Sequence, residues 1–143
     1  MGMIRTTMLS GAFCVALGAC AMTPSEPTLY DRLGGKPAIA KVVDDFIANV
    51  AKDKVINRRF KGTDIPALKA NLVDQLCEAT GGPCKYAGKD MRKAHTGMAI
   101  SDREFNAMGR DMLRALQKNK VPERETGEVM QALGGMKKDI VGL

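Results

Sequence analysis

From Thr28 to the end of the chain apolar residues recur at three- and four-residue steps, and no stretch alternates in the manner of a half-buried strand. The pattern predicts an all-α domain. A short helical turn over Leu29–Leu33 meets a break at Gly34-Gly35, and Pro37 stands where a first helical residue is favoured. Ile39, Val42, Val43, Phe46, Ile47 and Val50 then form one apolar face to about Ala51. Residues 52–65 mix charges with Phe60, Gly62 and Asp64 and predict a connection with little regular structure. Pro66 restarts a helix bearing Leu68, Leu72, Val73, Leu76 and Cys77 on one side, which Gly81-Gly82-Pro83 terminates.

A loop through Tyr86 and Gly88 leads to a shorter helical segment, Lys89 to about Gly97, with Met91, Ala94, His95 and Met98 on one side and Arg92 beside them. Ser101-x-x-Glu104 is a capping box ahead of a long helix carrying Phe105, Met108, Met112, Leu113 and Leu116. Val121-Pro122 opens the last helix, with Val129, Leu133, Met136 and Ile140 facing inward and Gly134-Gly135 as a kink. No repeats or low-complexity runs interrupt this order.

The first twenty residues differ in kind. Arg5 is the only charge before a small and apolar run, Met8 to Ala19, shorter than the ~20 residues a membrane span needs. Residues 1–20 therefore read as an export signal. The run ends Leu17-Gly18-Ala19-Cys20, which resembles the bacterial lipobox, where the cysteine is lipidated and becomes the new N-terminus; a plain small-residue cleavage site is the alternative. Residues 21–27 form a polar tether with two prolines, and the folded domain spans 28–143. The expected location is the periplasm or the periplasmic face of a bacterial membrane, with lipid at Cys20 as the sole membrane contact.

Export decides how the cysteines are read. Cys77 and Cys84 are the two left in the mature domain, and an oxidising compartment favours pairing them. Closing so short a loop restrains the unfolded chain by ~2.5 kcal/mol in the loop-entropy model. Two cysteines with no histidine or acidic cluster make a poor zinc site, and their spacing is not C-x-x-C.

Composition narrows function further. One domain fits into 143 residues, 45% of them hydrophobic and 27% charged, so the chain can bury a core. Aromatics are only 4%, with no Trp, which argues against a stacking platform for bases or sugars. The 22 Lys+Arg exceed the 16 Asp+Glu for a formal charge of +6, yet the basic residues are scattered, which favours a solvated surface over a nucleic-acid face.

His95 is the only histidine. With Cys77 and Cys84 expected to be paired and no serine in a nucleophile-elbow motif, Ser-His-Asp and Cys-His catalysis are excluded in ordinary form, and a single histidine excludes any multi-histidine zinc site. A single imidazole on a helix facing an apolar slot can, however, bind an iron whose equatorial ligands come from a porphyrin. Taken alone, such a histidine is more often a core or surface residue.

The residues around it resemble the group 1 truncated haemoglobins. Leu29-Tyr30-Asp31-Arg32-Leu33-Gly34-Gly35, Val42-Val43-Asp44-Asp45-Phe46, Phe60, Gly81-Gly82-Pro83, Tyr86-x-Gly88-x-x-Met91-x-x-x-His95 and Val121-Pro122 stand in that family's order, over about residues 28–141. The resemblance implies a shortened globin fold, two pairs of antiparallel helices around haem b, with His95 as the proximal iron ligand. It places Phe46, Ile47, Phe60, Leu68, Leu72 and Leu76 on the side where gas binds. Met91, Ile100, Phe105 and Met108 pack the proximal side, and Lys69, Tyr86 and Arg92 are candidates to meet the propionates. Without the resemblance, helix packing and solvent exposure would account for the same residues.

One departure matters chemically. Where many members carry tyrosine after the phenylalanine of the first long helix, this chain has Phe46-Ile47, and the two positions of the next helix where glutamine often assists are Leu68 and Leu72. A hydrogen bond to oxygen that gains charge on binding is worth ~1–3 kcal/mol when buried. Its loss predicts fast oxygen release, with carbon monoxide less affected; Gln75, one turn beyond Leu72, is the remaining donor that can turn inward. A sixth protein ligand would have to be lysine, methionine or tyrosine. The expected function is reversible binding of a diatomic gas: oxygen, nitric oxide or carbon monoxide. The alternatives are a haem enzyme of nitric oxide or peroxide detoxification, which needs a reductase or a distal acid–base group, and a haem-free helical lipoprotein that binds another protein.

Overall fold

A computed structural model describes residues 26–143. The expected export signal, Cys20 and all but the end of the expected tether lie outside the described residues. Thr28 caps the first helix, α1 (Leu29–Leu33), through a capping box: its hydroxyl accepts from the Asp31 N–H at 3.2 Å, and the Asp31 carboxylate accepts from the Thr28 N–H at 3.0 Å. Gly34 then adopts φ +93°, a conformation that costs glycine little, and α2 (Gly35–Lys52) starts at once. Pro37 is consequently the third helical residue and not the first, because the glycine pair is itself the turn.

The buried stripe on α2, Ile39, Val42, Val43, Phe46, Ile47 and Val50, is the spine of the core. It packs on α3 (Ile65–Ala79) through Val73 and Cys77, and on α5 (Asp102–Lys118) through Ala107, Met112, Ala115 and Leu116. The last helix, α6 (Glu123–Gly135), lies on α5 and α1. Arg32 of α1 reaches Glu125 of α6 at 2.9 Å, tying the first helix to the last. The described residues contain no strand, only an isolated parallel bridge between Ile100 and Val141.

Several boundaries differ from the sequence expectation. Helix α3 begins at Ile65, with Asp64 accepting from the Ala67 N–H at 3.0 Å and Pro66 inside the first turn. The 52–65 connection holds a 3₁₀ turn, Asn57–Phe60, and a buried Ile56 at 3% exposure. One turn of three-residue period leaves no apolar stripe to detect. The segment containing His95 is helical over Met91–His95 alone, as α4. Gly134-Gly135 ends α6 where a kink was expected, and a 3₁₀ turn at Lys137–Asp139 follows, so Met136 and Ile140 lie beyond that helix.

Cys77 and Cys84 are joined by a disulfide that ties the last turn of α3 to the loop leading to α4. Gly82 is enclosed within that loop. A Cβ there would come within 2.7 Å of the Cys77 sulfur and 2.5 Å of the Tyr30 ring, so this part of the Gly-Gly-Pro motif needs the absence of a side chain as well as a turn.

Candidate functional site

Two apolar walls meet at Met108. The first is built on α2 and α3: Phe46 and Ile47 are buried in it, and Phe60, Leu68, Leu72 and Leu76 pack against it half-buried. The second centres on Ile100, Phe105 and Ile140, with Met91, Met98, Met136 and Val141 packed around them. All ten apolar residues singled out by sequence thus fall on one wall or the other, with Met108 touching both. The walls also meet through Gln75. Its side-chain amide reaches from α3 to Met91 Sδ at 3.3 Å and Met136 Sδ at 3.9 Å.

His95 is the last residue of α4 and is half-buried. Asp90 caps the helix, accepting from the Lys93 N–H at 2.9 Å. His95 Nδ1 lies 2.8 Å from the Met91 carbonyl oxygen. A carbonyl only accepts, so the proton of the neutral ring sits on Nδ1 and the Nε2 lone pair is left free. This is how proteins orient an imidazole toward a metal. Among the described residues no group of three or more His, Cys, Asp or Glu could hold a bare metal ion. A lone oriented imidazole beside apolar walls fits instead an iron already held in a macrocycle.

The three basic or hydroxyl candidates each have a partner of their own. Lys69 pairs with Asp44 at 2.7 Å, the Tyr86 hydroxyl donates to the Lys89 carbonyl at 2.9 Å, and Arg92 pairs with Asp139 at 2.9 Å. Both ion pairs are solvent-accessible and weakly held, so the cations can exchange partners at small cost. Burial, reinforced by the charge of Asp90, pushes the Tyr86 phenol above its ordinary value and keeps it a neutral donor. An open groove of about 410 Å³, bounded by Leu33, Pro37, Ile39, Leu116 and Val121, shares only Leu76 with these residues.

Sequence reasoning missed the polar contacts that brace the His95 segment. Arg59, in the 3₁₀ turn beside Phe60, donates from Nε to Glu104 Oε1 at 2.7 Å and from Nη2 to Glu104 Oε2 at 3.0 Å, while Nη1 donates to the Met98 carbonyl at 2.9 Å. Glu104 is 6% exposed and also accepts from the Ser101 N–H at 3.0 Å and hydroxyl at 2.8 Å. The Arg59 guanidinium, followed by the Ser101 donors, holds its carboxyl down at about 2. The capping box announced Glu104 as a cap, but nothing local in the sequence points from Arg59 to it across 45 residues.

The chain matches the bacterial-like globin family model over residues 28–141. It is 33% identical over 110 residues to the group 1 truncated haemoglobin GlbN of Nostoc sp. (strain MUN 8820), covering 77% of this chain and 93% of that protein. The solved truncated haemoglobin of Tetrahymena pyriformis in its Fe(III) form superposes with a TM-score of 0.79 at 30% identity, over 82% of this chain and 100% of that one. The 2/2 haemoglobin of Synechococcus sp. PCC 7002, solved in the cyanomet state with covalently attached haem, gives 0.77 at 28% identity over the same shares, 82% and 100%.

Proposed function

We propose, from the premise that this chain belongs to the bacterial-like globin family as a truncated haemoglobin that binds diatomic gas at haem, that His95 is its single protein ligand to the iron of haem b. The observation that carries this is the hydrogen bond from His95 Nδ1 to the Met91 carbonyl, which fixes the ring with Nε2 free. Haem, when bound, supplies the iron position at which a gas is held. Met91, Ile100, Phe105 and Met108 would pack the His95 side, and Phe46, Ile47, Phe60, Leu68, Leu72 and Leu76 the gas side. Lys69, Tyr86 and Arg92 would leave their present partners for the propionates.

What this chain's own residues do on the gas side is exclude water and withhold a hydrogen bond. Ile47, Leu68 and Leu72 have no donor. The Gln75 amide is engaged at Met91 Sδ and Met136 Sδ. We therefore assign fast oxygen release and largely unaffected carbon monoxide binding. Reconstitution with haem should give a one-to-one porphyrin absorption that His95→Ala loses, and the pyridine derivative of the extracted pigment should be that of haem b. Retained pigment in His95→Ala would overturn the assignment.

An exported, lipid-anchored placement fits the same protein. The Leu17-Gly18-Ala19-Cys20 ending supports it, as does the Cys77–Cys84 bond, which suits an oxidising compartment. Mass spectrometry of the membrane fraction should find a modified Cys20 as the N-terminus; a soluble product beginning elsewhere would remove the anchor.

A further inference from the structure

The segment between His95 and α5 has little helix to hold it, and three contacts from distant parts of the chain grip it. The Met98 N–H donates to the His95 carbonyl at 3.1 Å, continuing the chain from the imidazole's own residue into a turn. On one side of that turn the Ala99 N–H donates to the Leu143 carbonyl at 2.6 Å and the Gly142 N–H to the Ile100 carbonyl at 2.9 Å. On the other, Arg59 holds the Met98 carbonyl while its fork closes on Glu104. Arg59 is the neighbour of Phe60, which packs on the first wall; Met98 and Glu104's helix neighbour Phe105 belong to the second. One guanidinium thus uses three donors to join the two walls at the turn that follows His95. A planar fork with fixed donors does this where a flexible ammonium cannot.

We propose that Arg59 is a positioning residue for the iron–imidazole bond: through the Met98 carbonyl and Glu104 it latches the wall carrying Phe60 to the turn after His95, setting how firmly the ring is held and how long haem stays. This rests on the assignment of His95 as the iron ligand. The latch acts through backbone position alone, and Arg59 need not touch haem.

The test uses the haem-loaded protein. Haem loss to an excess of a haem-scavenging apoprotein is timed, and the iron–histidine stretching band of the ferrous, gas-free form is recorded by resonance Raman spectroscopy. Arg59→Gln and Glu104→Gln should each release haem about ten-fold faster or more and shift the band. The double variant should be no worse than the poorer single one, since both remove one latch. Arg59→Lys, which keeps charge without the fork, should fall between wild type and Arg59→Gln, and it decides the matter if the glutamine variants fail to fold. Ser101→Ala removes a cap contact of Glu104 but leaves the latch, and should lower thermal stability without moving the band. An unmoved band and wild-type haem retention in the folded Arg59 variants would overturn the latch, as would a band shift in Ser101→Ala equal to theirs. Failure of the wild-type protein to take up haem would instead strike the His95 assignment itself.

Discussion

The wall carrying Ile47, Leu68 and Leu72 is built on α2 and α3, helices of 18 and 15 residues backed by the 17-residue α5, whereas the wall beside His95 joins a helix of 5 residues, a turn and the end of the chain to the first turns of α5. The first is held by area: Val43, Met112 and Leu116 are almost wholly buried between long helices. The second has just three buried apolar residues and depends on named hydrogen bonds, from the Asp90 cap to the Arg59 fork and the Leu143 carbonyl. The long-helix wall can therefore lose or gain a polar group at the pocket without moving. The short wall is where small changes reach the imidazole.

The difference can be broken most strongly from the core. Met112→Ala should lower the free energy of unfolding by about 2–5 kcal/mol in a cooperative denaturant transition. Ile140→Ala, in the smaller cluster, should show itself first as faster amide exchange over Met91–Ile100. Next comes the tether between the walls. Cys84→Ala, which opens the loop from α3 toward α4, should cost about 2.5 kcal/mol in the loop-entropy model, read from denaturation midpoints under non-reducing conditions.

These same two walls were unequally legible in the sequence. Ile39 to Val50 and Phe105 to Leu116 repeat at helical steps over several turns, so their buried face follows from spacing alone. Ile56 and the Val141–Leu143 tail lie in segments too short for any period to emerge, and their burial or pairing is decided by where distant helices leave room. His95 was legible as the sole histidine, but the Met91 carbonyl that orients it is backbone and carries no residue signature. Arg59 and Glu104 form a contact 45 residues apart, which a single sequence cannot encode visibly.

A sharper comparison comes from the pocket itself. Ile47→Tyr places a donor on the long-helix wall and should slow oxygen release about ten-fold or more, with carbon monoxide release changed far less, as followed by stopped-flow displacement. An unchanged oxygen rate would mean that a group outside Ile47, Leu68 and Leu72 already supplies the hydrogen bond.

The smallest effects are in pH dependence, and the two buried carboxylates of α5 act with opposite sign. Glu104 is held at about 2, below the ordinary 4.5, so its ionised form contributes stability in full above 4.5 that is lost as pH falls toward 2. Glu104→Gln should flatten that acid limb. Asp111 is fully buried with Oδ2 unpartnered, and burial pushes its carboxyl up, against the pull of Arg114. Its protonation as pH falls through the raised value relieves a buried charge, and the folded state gains. Asp111→Asn should remove that gain, seen as a flatter stability curve between neutral pH and the ordinary carboxylate range.

The central claim is that one imidazole, aimed by the Met91 carbonyl, is what holds iron between the walls. It is tested most directly by His95→Gly, a cavity in place of the ring, with free imidazole added back. The ferrous spectrum should be lost or altered in the variant and restored toward wild type as imidazole fills the space, in proportion to its concentration. A variant that keeps the wild-type spectrum without imidazole would contradict the claim.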